Sequence, residues 1–274
     1  MSEQNILVTI NANYLNPLCA MLRSLQAASP HTVWTVYLAH SSLAKEHITH
    51  LLANLDPARC RLAPIRLSPA LFADAPAKSR IPKEAYYRTI AFSYLPAHVS
   101  RILYLDPDII ILNTLDDLYQ MPLGDKLIAG APHLGPTLQL VLKSWLGMPA
   151  HSTYINSGVL LMNIAGLRAA YSAEDILNHI RKMKTRLLLE DQDVINSLFG
   201  GRILSIDPYL YNLDEKCYRR KSRPLQKNPI DLLYVRRHVK IVHYNSKHKP
   251  WNQNYPGKLG CFYEEYAADP FDFS

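Results

Sequence analysis

Short apolar runs that alternate with helical patterns are the feature that most limits how this chain of 274 residues folds. Such runs predict strands, and the segments between them repeat their apolar residues with the period of an amphipathic helix. The predicted strands are 6–10, 33–38, 62–67, 101–105, 109–112, 159–164 and 241–243. The predicted helices are one that begins at Asn16-Pro17 and those at 43–55, 83–95, 174–183 and 193–199. Strands that alternate with helices indicate a parallel sheet built from β-α-β units.

The composition is that of an ordinary globular protein, with 48% hydrophobic and 19% charged residues. We expect an α/β core over residues 1–206, with a mixed, mostly parallel sheet, and a less regular C-terminal part over 207–274. The cysteines form no closely spaced pair, so neither a zinc knuckle nor a disulfide framework is expected. The sequence shows no signal-peptide pattern and no run of the ~20 apolar residues that cross a bilayer, so we expect a cytoplasmic protein.

Basic residues are concentrated in residues 216–240. This segment holds nine of the 30 lysines and arginines but one acidic residue, Asp231, so the rest of the chain is nearly neutral. Cations with interleaved apolar residues are typical of docking on an anionic membrane surface, and a solvated loop is the alternative. A nucleic-acid-binding element is not expected, because Pro224 and Pro229 interrupt the segment.

A pair of carboxylates, Asp106 and Asp108, follows the apolar run 101–105. Residues two apart on an extended chain point to the same side, and ligands of open α/β sheets bind beyond the carboxyl ends of strands. Two carboxylates at such a place can hold a divalent cation and leave positions open for a diphosphate. A turn between two strands is the alternative, since Asp and Pro are common in turns. The apolar runs on both sides favour the cation site.

His243 ends a later apolar run and precedes Lys249. An imidazole beside two carboxylates would make an O/O/N ligand set, which favours Mn²⁺ over Mg²⁺ or Ca²⁺. Lys249 would then neutralise diphosphate charge. The alternatives are a structural histidine and a solvated lysine.

Other polar residues stand at positions where a structural role is the alternative to a functional one. Arg88 lies in a predicted apolar helix, where a buried ion pair is the alternative. Asn156 belongs to a polar stretch that we interpret as a turn before a strand. Asp191, which Gln192 follows, begins a predicted helix, where an acidic residue suits the helix dipole.

In this order, these residues resemble glycosyltransferase family 8. The resemblance rests on Asn13-Tyr14, Tyr87-Arg88, Leu105-Asp106-Pro107-Asp108, the run from Asn156 to Asn163, Asp191-Gln192-Asp193, and His243, Ser246 and Lys249-Pro250-Trp251. It covers about residues 5 to 260. The family contains retaining sugar transferases of the Rossmann-like GT-A fold, among them bacterial lipopolysaccharide galactosyl- and glucosyltransferases and glycogenin.

The resemblance implies a set of site residues. Asp106, Asp108 and His243 would bind Mn²⁺, with Mg²⁺ as the alternative ion, and the metal would bridge the diphosphate of a UDP-sugar. The positions that match the family's nucleotide pocket are Thr9, Asn11, Asn13, Tyr14, Ser246 and Lys249. The positions that match its donor-sugar site are Arg88, Asn156, Asp191 and Gln192, and those that match its catalytic residues are Gln192, Asp191 and Arg88.

The chain departs from the family pattern at two places. Many relatives have acidic residues where this chain has Asn11 and Ala12, so contacts to uracil or ribose would differ. Many have a glycine where this chain has Ser246, and serine is costly if that position needs a positive φ.

The resemblance also leaves the displacement mechanism open. Gln192 would lie on the face of the sugar opposite UDP, where a double displacement needs a nucleophile, and an amide is a poor one. A front-side substitution and the participation of Asp193 therefore both stay open.

The resemblance implies a hexosyltransferase that moves glucose or galactose from a UDP-sugar to a saccharide or lipid-linked saccharide of cell-surface or lipopolysaccharide type. It would work in the cytoplasm, at the inner face of the membrane if segment 216–240 docks there, and with no nucleic acid as partner. The alternatives are a sugar-nucleotide-binding protein without transferase activity, a protein-directed glycosyltransferase and a nucleotidyltransferase. The last would need a glycine-rich phosphate loop, and none of the 10 glycines forms one.

Overall fold

The computed structural model describes residues 2–76, 83–132, 135–224 and 226–267. Its strands are β1 (Ser2–Thr9), β2 (Thr32–His40), β3 (Cys60–Arg66), β4 (Arg101–Leu105), β5 (Ile109–Ile111), β6 (Ile128–Pro132), β7 (Ile155–Asn163), β8 (Ile203–Ser205) and β9 (Ile241–His243). Its helices are α1 (Leu15–Ala28), α2 (Lys45–Ala53), α3 (Ala91–Tyr94), α4 (Asp116–Gln120), α5 (Pro136–Leu146), α6 (Ile164–Ala170), α7 (Ala173–Met183), α8 (Glu190–Phe199), α9 (Pro208–Tyr211), α10 (Glu215–Lys221), α11 (Leu232–His238) and α12 (Gly260–Glu264). Short 3₁₀ helices cover Ala12–Tyr14, Pro69–Phe72, Lys83–Ile90 and Gly200–Arg202.

The main sheet has the strand order β3-β2-β1-β4-β7-β6-β8. Neighbours from β3 to β4 are parallel, β6 is parallel to β8, and β7 runs antiparallel to both β4 and β6. The predicted mixed, mostly parallel α/β sheet is therefore confirmed. The chain continues from β1 toward one edge of the sheet and from β4 toward the other. In open α/β sheets, ligands bind beyond the carboxyl ends of the two neighbouring strands from which the chain departs in opposite directions. Here these strands are β1 and β4.

The sheet is buried on both faces. In β4, Ile102 and Tyr104 lie in one apolar cluster, and Leu103 and Leu105 lie in another. Successive strand residues point to opposite faces, so these two clusters are the two sides of the sheet. This two-sided burial explains why its central strands are continuous apolar runs in the sequence.

β5 and β9 form a separate two-stranded antiparallel sheet. A third apolar cluster joins Ile110 of β5 to Val242 of β9 and to Val235 and Phe262 of the C-terminal helices. The C-terminal part is therefore attached to the chain segment that follows β4. The division of the chain at residue 206 stays a prediction.

The predicted elements are present, with shifted ends, and differ from the predictions at three places. The predicted helix 83–95 is a 3₁₀ helix, Lys83–Ile90, that continues into α3. Helix α1 begins at Leu15, before the predicted start. β7 begins at Ile155, so the stretch around Asn156 is buried strand rather than a turn.

Several elements have no counterpart in the prediction, and the short strands β6 and β8 and the helices α4, α5 and α9 to α12 are among them. Each helix in the described ranges is too short or too polar to span a bilayer.

Candidate active site

Asp106, Asp108 and His243 form a cluster just beyond β4. One potential ligand atom from each residue lies within 4.8 Å of the others. His243 Nε2 is 3.2 Å from Asp108 Oδ1 and 3.7 Å from Asp106 Oδ2. The structure therefore brings together the three residues that the sequence predicts as metal ligands.

Two backbone pairings position these ligands. The chain leaves the main sheet at the end of β4, bends at Asp108 and enters the two-stranded sheet. There Ile109 pairs with His243, and the Tyr244 N–H donates to the Asp108 carbonyl over 3.0 Å. On the other side, the Asp106 N–H donates to the Gly158 carbonyl over 2.8 Å. The carboxylates therefore lie between β9 and β7.

Gly158 is required by the close approach of these ligands. A Cβ atom at this position would lie 2.6 Å from Asp106 Oδ2 and in contact with the ring of His243. His243 is buried and Asp106 is mostly covered, and both are held by other contacts, so neither is a flexible side-chain end that can move aside. The glycine in this strand lets the backbone of β7 pass directly beneath the cluster.

The donor set fits a divalent cation. The His243 Nδ1–H donates to Asn212 Oδ1 over 2.7 Å, which leaves Nε2 to face the carboxylates with its lone pair. Asp108 Oδ1 is buried without a hydrogen-bond partner. Two carboxylate oxygens and an imidazole nitrogen are a ligand set that Mn²⁺ accepts well.

Lys249 occupies the other side of Asp108. Its Nζ lies 2.5 Å from Asp108 Oδ2 and donates to the Tyr244 carbonyl over 2.7 Å. Burial opposes ionisation of Asp108, but the neighbouring charge of Lys249 acts in the opposite direction, and the pKa of this carboxyl lies below its usual range. Burial also acts to lower the pKa of Lys249, and Asp108 outweighs it and raises that pKa. Both groups are therefore charged at neutral pH.

Arg88 is the buried cation between the cluster and helix α8. Its Nη1 lies 2.9 Å from Asp106 Oδ1, and its Nε lies 3.2 Å from Asp191 Oδ2. Nη1 also donates to the Ser157 carbonyl over 2.8 Å, and the guanidinium lies over the Tyr104 ring, 4.3 Å from its centroid. The structural alternative for Arg88, a buried ion pair, is thus present, and it holds two of the predicted site residues in place.

Asp191 does not cap helix α8. The cap residue of this helix is Leu189, and no side chain bonds to the first turn from that position. Burial raises the pKa of Asp191 to about 6, although Arg88 acts in the opposite direction. The preceding residue, Glu190, is fully buried and has a left-handed φ of 49°. Such backbone strain is common at functional sites.

A chain of buried hydrogen bonds leads from the cluster of Asp106, Asp108 and His243 to the start of α8. Its members are Asn212, Asn156, Gln192, Tyr154 and Asp193. Asn212 Nδ2 donates to Asn156 Oδ1, Asn156 Nδ2 to Gln192 Oε1, and Gln192 Nε2 to the Tyr154 hydroxyl, each over 3.1 Å. The Tyr154 hydroxyl donates to Asp193 Oδ1 over 2.6 Å. Because each member fixes the next, the amides of Asn156 and Gln192 are held in one orientation.

A cavity of about 410 Å³ opens over the cluster, a volume typical of small-molecule sites. The predicted residues that line it are Thr9, Asn11, Tyr14, Arg88, Asp106, Asp108, Asn156, Asp191, Gln192, His243, Ser246 and Lys249. Asn13 does not line it, because this residue is exposed and its N–H donates to the Asn11 side chain. Ser246 has an ordinary negative φ, since the non-glycine residues with positive φ in the described ranges are Glu190 and Asn254. The missing glycine at this position therefore causes no backbone strain.

The sequence did not reveal four residues that complete the site. Asn212 lies 31 residues before His243, and no motif marks it. The Tyr104 hydroxyl, on a strand predicted to be wholly apolar, donates to Asp106 Oδ1 over 2.7 Å and lies 3.0 Å from the Thr9 hydroxyl. Tyr154 looks like an ordinary aromatic residue, and Lys247 looks like a solvated cation although it lines the cavity.

The comparisons with known proteins agree with this site. The model of glycosyl transferase family 8 matches residues 5–255. This span is most of the chain, so the chain belongs to glycosyltransferase family 8, and the resemblance seen in the sequence is confirmed.

Bacterial glycosyltransferases are among the relatives. The chain is 27% identical over 186 residues to glycosyltransferase GlyE of Streptococcus pneumoniae, covering 66% of this chain and 41% of GlyE. It is 22% identical over 257 residues to lipopolysaccharide 1,2-glucosyltransferase of Escherichia coli K12, covering 91% and 73%. It covers 58% of a second pneumococcal relative, GlyF, so it spans about half the length of these two pneumococcal proteins.

Among solved structures, the galactosyltransferase LgtC in complex with donor and acceptor sugar analogues superposes with a TM-score of 0.83. The two chains are 25% identical, and the match covers 96% of this chain and 95% of LgtC. This likeness confirms the predicted GT-A fold.

Gly158→Ala is expected to weaken binding of a divalent cation by about tenfold or more, because the new methyl group pushes Asp106 and His243 apart. The measurement is a Mn²⁺ titration followed by electron paramagnetic resonance. The control is Gly135→Ala, because a Cβ there meets no atom within 4 Å. Unchanged Mn²⁺ affinity in folded Gly158→Ala protein would contradict the cation site.

Proposed function

We propose that this protein transfers a hexose, glucose or galactose, from a UDP-sugar to a saccharide acceptor, with retention of configuration and with Mn²⁺ bound at Asp106, Asp108 and His243. One observation carries the proposal. The three potential metal ligands line a cavity that buried hydrogen-bonding groups, Asn156 and Asp191 among them, also line. Family membership supports the transferase chemistry.

The nucleotide end of the donor belongs at the end of β1. Asn11 and Tyr14 line the cavity there, and Tyr14 packs edge-on against Trp251 with ring centroids 6.1 Å apart. A tyrosine ring held in this way offers a fixed surface for a uracil base. Neither Asn11 nor Ala12 is acidic, so recognition of the nucleoside here would rely on amide and hydroxyl groups.

The diphosphate belongs between the cluster and Lys249. When bound, the metal acts as a Lewis acid that stabilises the negative charge of the departing UDP. Lys249 lies beside Asp108 and is protonated, and Lys247 lines the same cavity. These two lysines supply positive charge for the phosphate oxygens.

The hydrogen bonds of Gln192 and Asp193 favour a front-side substitution. The Gln192 oxygen accepts from Asn156 and from the Ser157 N–H over 3.2 Å, so its lone pairs are occupied. Asp193 is fully buried, and its oxygens accept from the Tyr154 hydroxyl and from backbone N–H groups. Neither side chain is free to attack the sugar, which leaves Gln192 to hold the sugar while the acceptor hydroxyl enters from the side of UDP.

The acceptor is assigned from the relatives. Lipopolysaccharide 1,2-glucosyltransferase of E. coli aligns with 91% of the chain, and LgtC has been solved with an acceptor sugar analogue. These matches support a saccharide of cell-surface or lipopolysaccharide type.

Turnover is expected to require a divalent cation and to be fastest with Mn²⁺, because the ligands combine carboxylates with an imidazole. The measurement is UDP release from UDP-glucose and UDP-galactose by chelator-treated protein, before and after addition of Mn²⁺ or Mg²⁺. Full turnover in the chelated protein would refute the metal assignment. Turnover of neither donor with any metal would refute the UDP-hexose assignment.

Asp191→Asn is expected to lower turnover about tenfold or more, because the carboxylate that accepts the sugar hydroxyls is lost. Asp191 pairs with the buried Arg88 rather than capping α8, so the variant also loses stability on the order of a few kcal/mol, and turnover is compared on protein that thermal melting shows to be folded. In the wild type, protonation of Asp191 removes this acceptor, so kcat/KM should fall as the pH drops through about 6. In Asp191→Asn, kcat/KM should not show this fall at acidic pH. Near-normal turnover with an unchanged pH profile would contradict sugar binding by Asp191 and show that its role is structural.

Helix α11 is the part of the basic segment that best fits a membrane surface. Leu233 is 55% exposed and Tyr234 is 47% exposed, and both lie near the exposed cation Arg237. Tyr218, another apolar residue of the segment, is buried and takes no part, and Leu225 lies outside the described residues. The proposal places α11 on an anionic surface, which would bring the enzyme to a lipid-linked acceptor.

Leu233→Ser with Arg237→Gln is expected to weaken co-sedimentation with phosphatidylglycerol vesicles about tenfold, because each cation near such a surface contributes about 1 kcal/mol and the leucine adds apolar contact. The control is Leu52→Ser on α2, where the leucine is 49% exposed. Wild-type binding should fade with added salt. Equal partitioning of the wild type to neutral and anionic vesicles would exclude the membrane role.

A further inference from the structure

A second cavity, of about 540 Å³, lies beside the donor cavity and shares Ser246 with it. We call it the α10 cavity. It is lined by Glu215, Lys216, Arg219, Arg220, Arg223, Ser246, His248, Tyr255, Pro256 and Gly257. Four permanent cations and one carboxylate therefore surround a space large enough for a sugar or two.

Three of the four cations of the α10 cavity lie in α10, and the fourth, Arg223, lies two residues beyond its end. Lys216 comes three residues before Arg219 and four before Arg220, a spacing at which side chains lie above one another on a helix. Like charges at this spacing destabilise a helix. The negative C-terminal end of the α10 dipole offsets part of this destabilisation, but only for cations in the last turn. An anion in the cavity removes the repulsion.

Two of these cations are held in place by neighbouring groups. Arg219 Nε lies 3.3 Å from Glu215 Oε1, and its Nη2 donates to the Pro256 carbonyl. Arg220 donates to the Tyr209 hydroxyl. The carboxylate of Glu215 is itself occupied by the N–H groups of Lys258 and Leu259. The acid therefore orients Arg219 and leaves the cavity strongly cationic.

The remaining two cations, Lys216 and Arg223, are exposed, and their charged groups make no ion pair or hydrogen bond with the side chains or backbone of the described residues. They are free to meet a ligand. Tyr255 adds a half-buried ring to the wall, and it lies so close to the backbone that a Cβ at Gly257 would meet both this ring and Glu215 Oε2. An aromatic face beside cations is a surface on which a sugar ring can lie while its anionic substituent is bound.

We propose that the α10 cavity binds a phosphate group on the acceptor saccharide. The planar guanidinium of arginine can donate two parallel hydrogen bonds to phosphate oxygens, so three arginines and a lysine around one cavity favour phosphate over a neutral sugar. The cavity adjoins the donor cavity at Ser246, so a phosphorylated sugar bound there lies next to the sugar that presents its hydroxyl to the donor. This assignment rests on the proposed transferase function.

The test compares binding of glucose 6-phosphate and glucose to the full chain by isothermal titration calorimetry. The variant is Lys216→Gln with Arg223→Gln. The matched control is Lys182→Gln with Lys227→Gln, which removes the same charge at two exposed positions outside the cavity wall and outside α11. We expect the sugar phosphate to bind the wild type about tenfold more tightly than glucose, and the variant but not the control to lose about tenfold in that affinity.

The titration is repeated with UDP and Mn²⁺ present, because these ligands belong in the donor cavity. Sugar-phosphate binding that persists with UDP supports the α10 cavity, and binding that UDP abolishes overturns the proposal. Equal losses in variant and control also overturn it, since they reflect net charge alone. If UDP itself fails to bind, the proposed function fails, and the comparison of the two variants still decides whether the cavity binds phosphate.

A second arm replaces the sugar phosphate with phosphatidylglycerol vesicles, since a lipid headgroup carries the same phosphate chemistry. Vesicle binding by Lys216→Gln with Arg223→Gln that equals or exceeds that of the control supports a saccharide ligand. Vesicle binding lost in that variant and retained in the control assigns the cavity to a lipid headgroup and overturns the proposal.

Discussion

The buried guanidinium of Arg88 is the interaction on which the site depends. Three elements meet at it, because it pairs with Asp106 after β4 and with Asp191 in α8 and donates to the Ser157 carbonyl in β7. Two carboxylates buried together without a cation would repel each other and take up protons. Arg88 keeps them close together, and it leaves Asp106 Oδ2 to face His243.

The change of sheet after β4 gives the cluster its shape. Because β5 continues in a different sheet from β4, Asp106 and Asp108 lie at a junction where the backbone turns, and β9 brings His243 to the same junction. Gly158 completes the arrangement from the other side, since any larger residue would overlap the ligands. The site is thus built from the ends of strands that are far apart in the sequence, as is usual in open α/β sheets.

The basic segment divides into two surfaces once it is folded. The cations of α10 face a cavity beside the donor site, whereas α11 presents Leu233, Tyr234 and Arg237 to the solvent. A flat surface with exposed apolar residues suits a membrane, and a concave cationic one suits a small anion. Together they would hold a phosphorylated, lipid-linked acceptor at both its sugar and its membrane end.

The sequence by itself determined the mostly parallel α/β sheet except for its short strands β6 and β8, the three residues of the candidate metal cluster, and the family, because the apolar runs reflect two-sided burial and the motif residues follow in a fixed order. Only the tertiary structure revealed Asn212 and Tyr104, since their roles depend on partners brought near by folding. It also decided that Asn156 lies in a strand and that Asn13 lies outside the cavity. The physical reason is that the spacing of apolar residues along the sequence indicates which residues are buried. The hydrogen bonds of a buried polar group depend instead on which distant strand or helix packs against it.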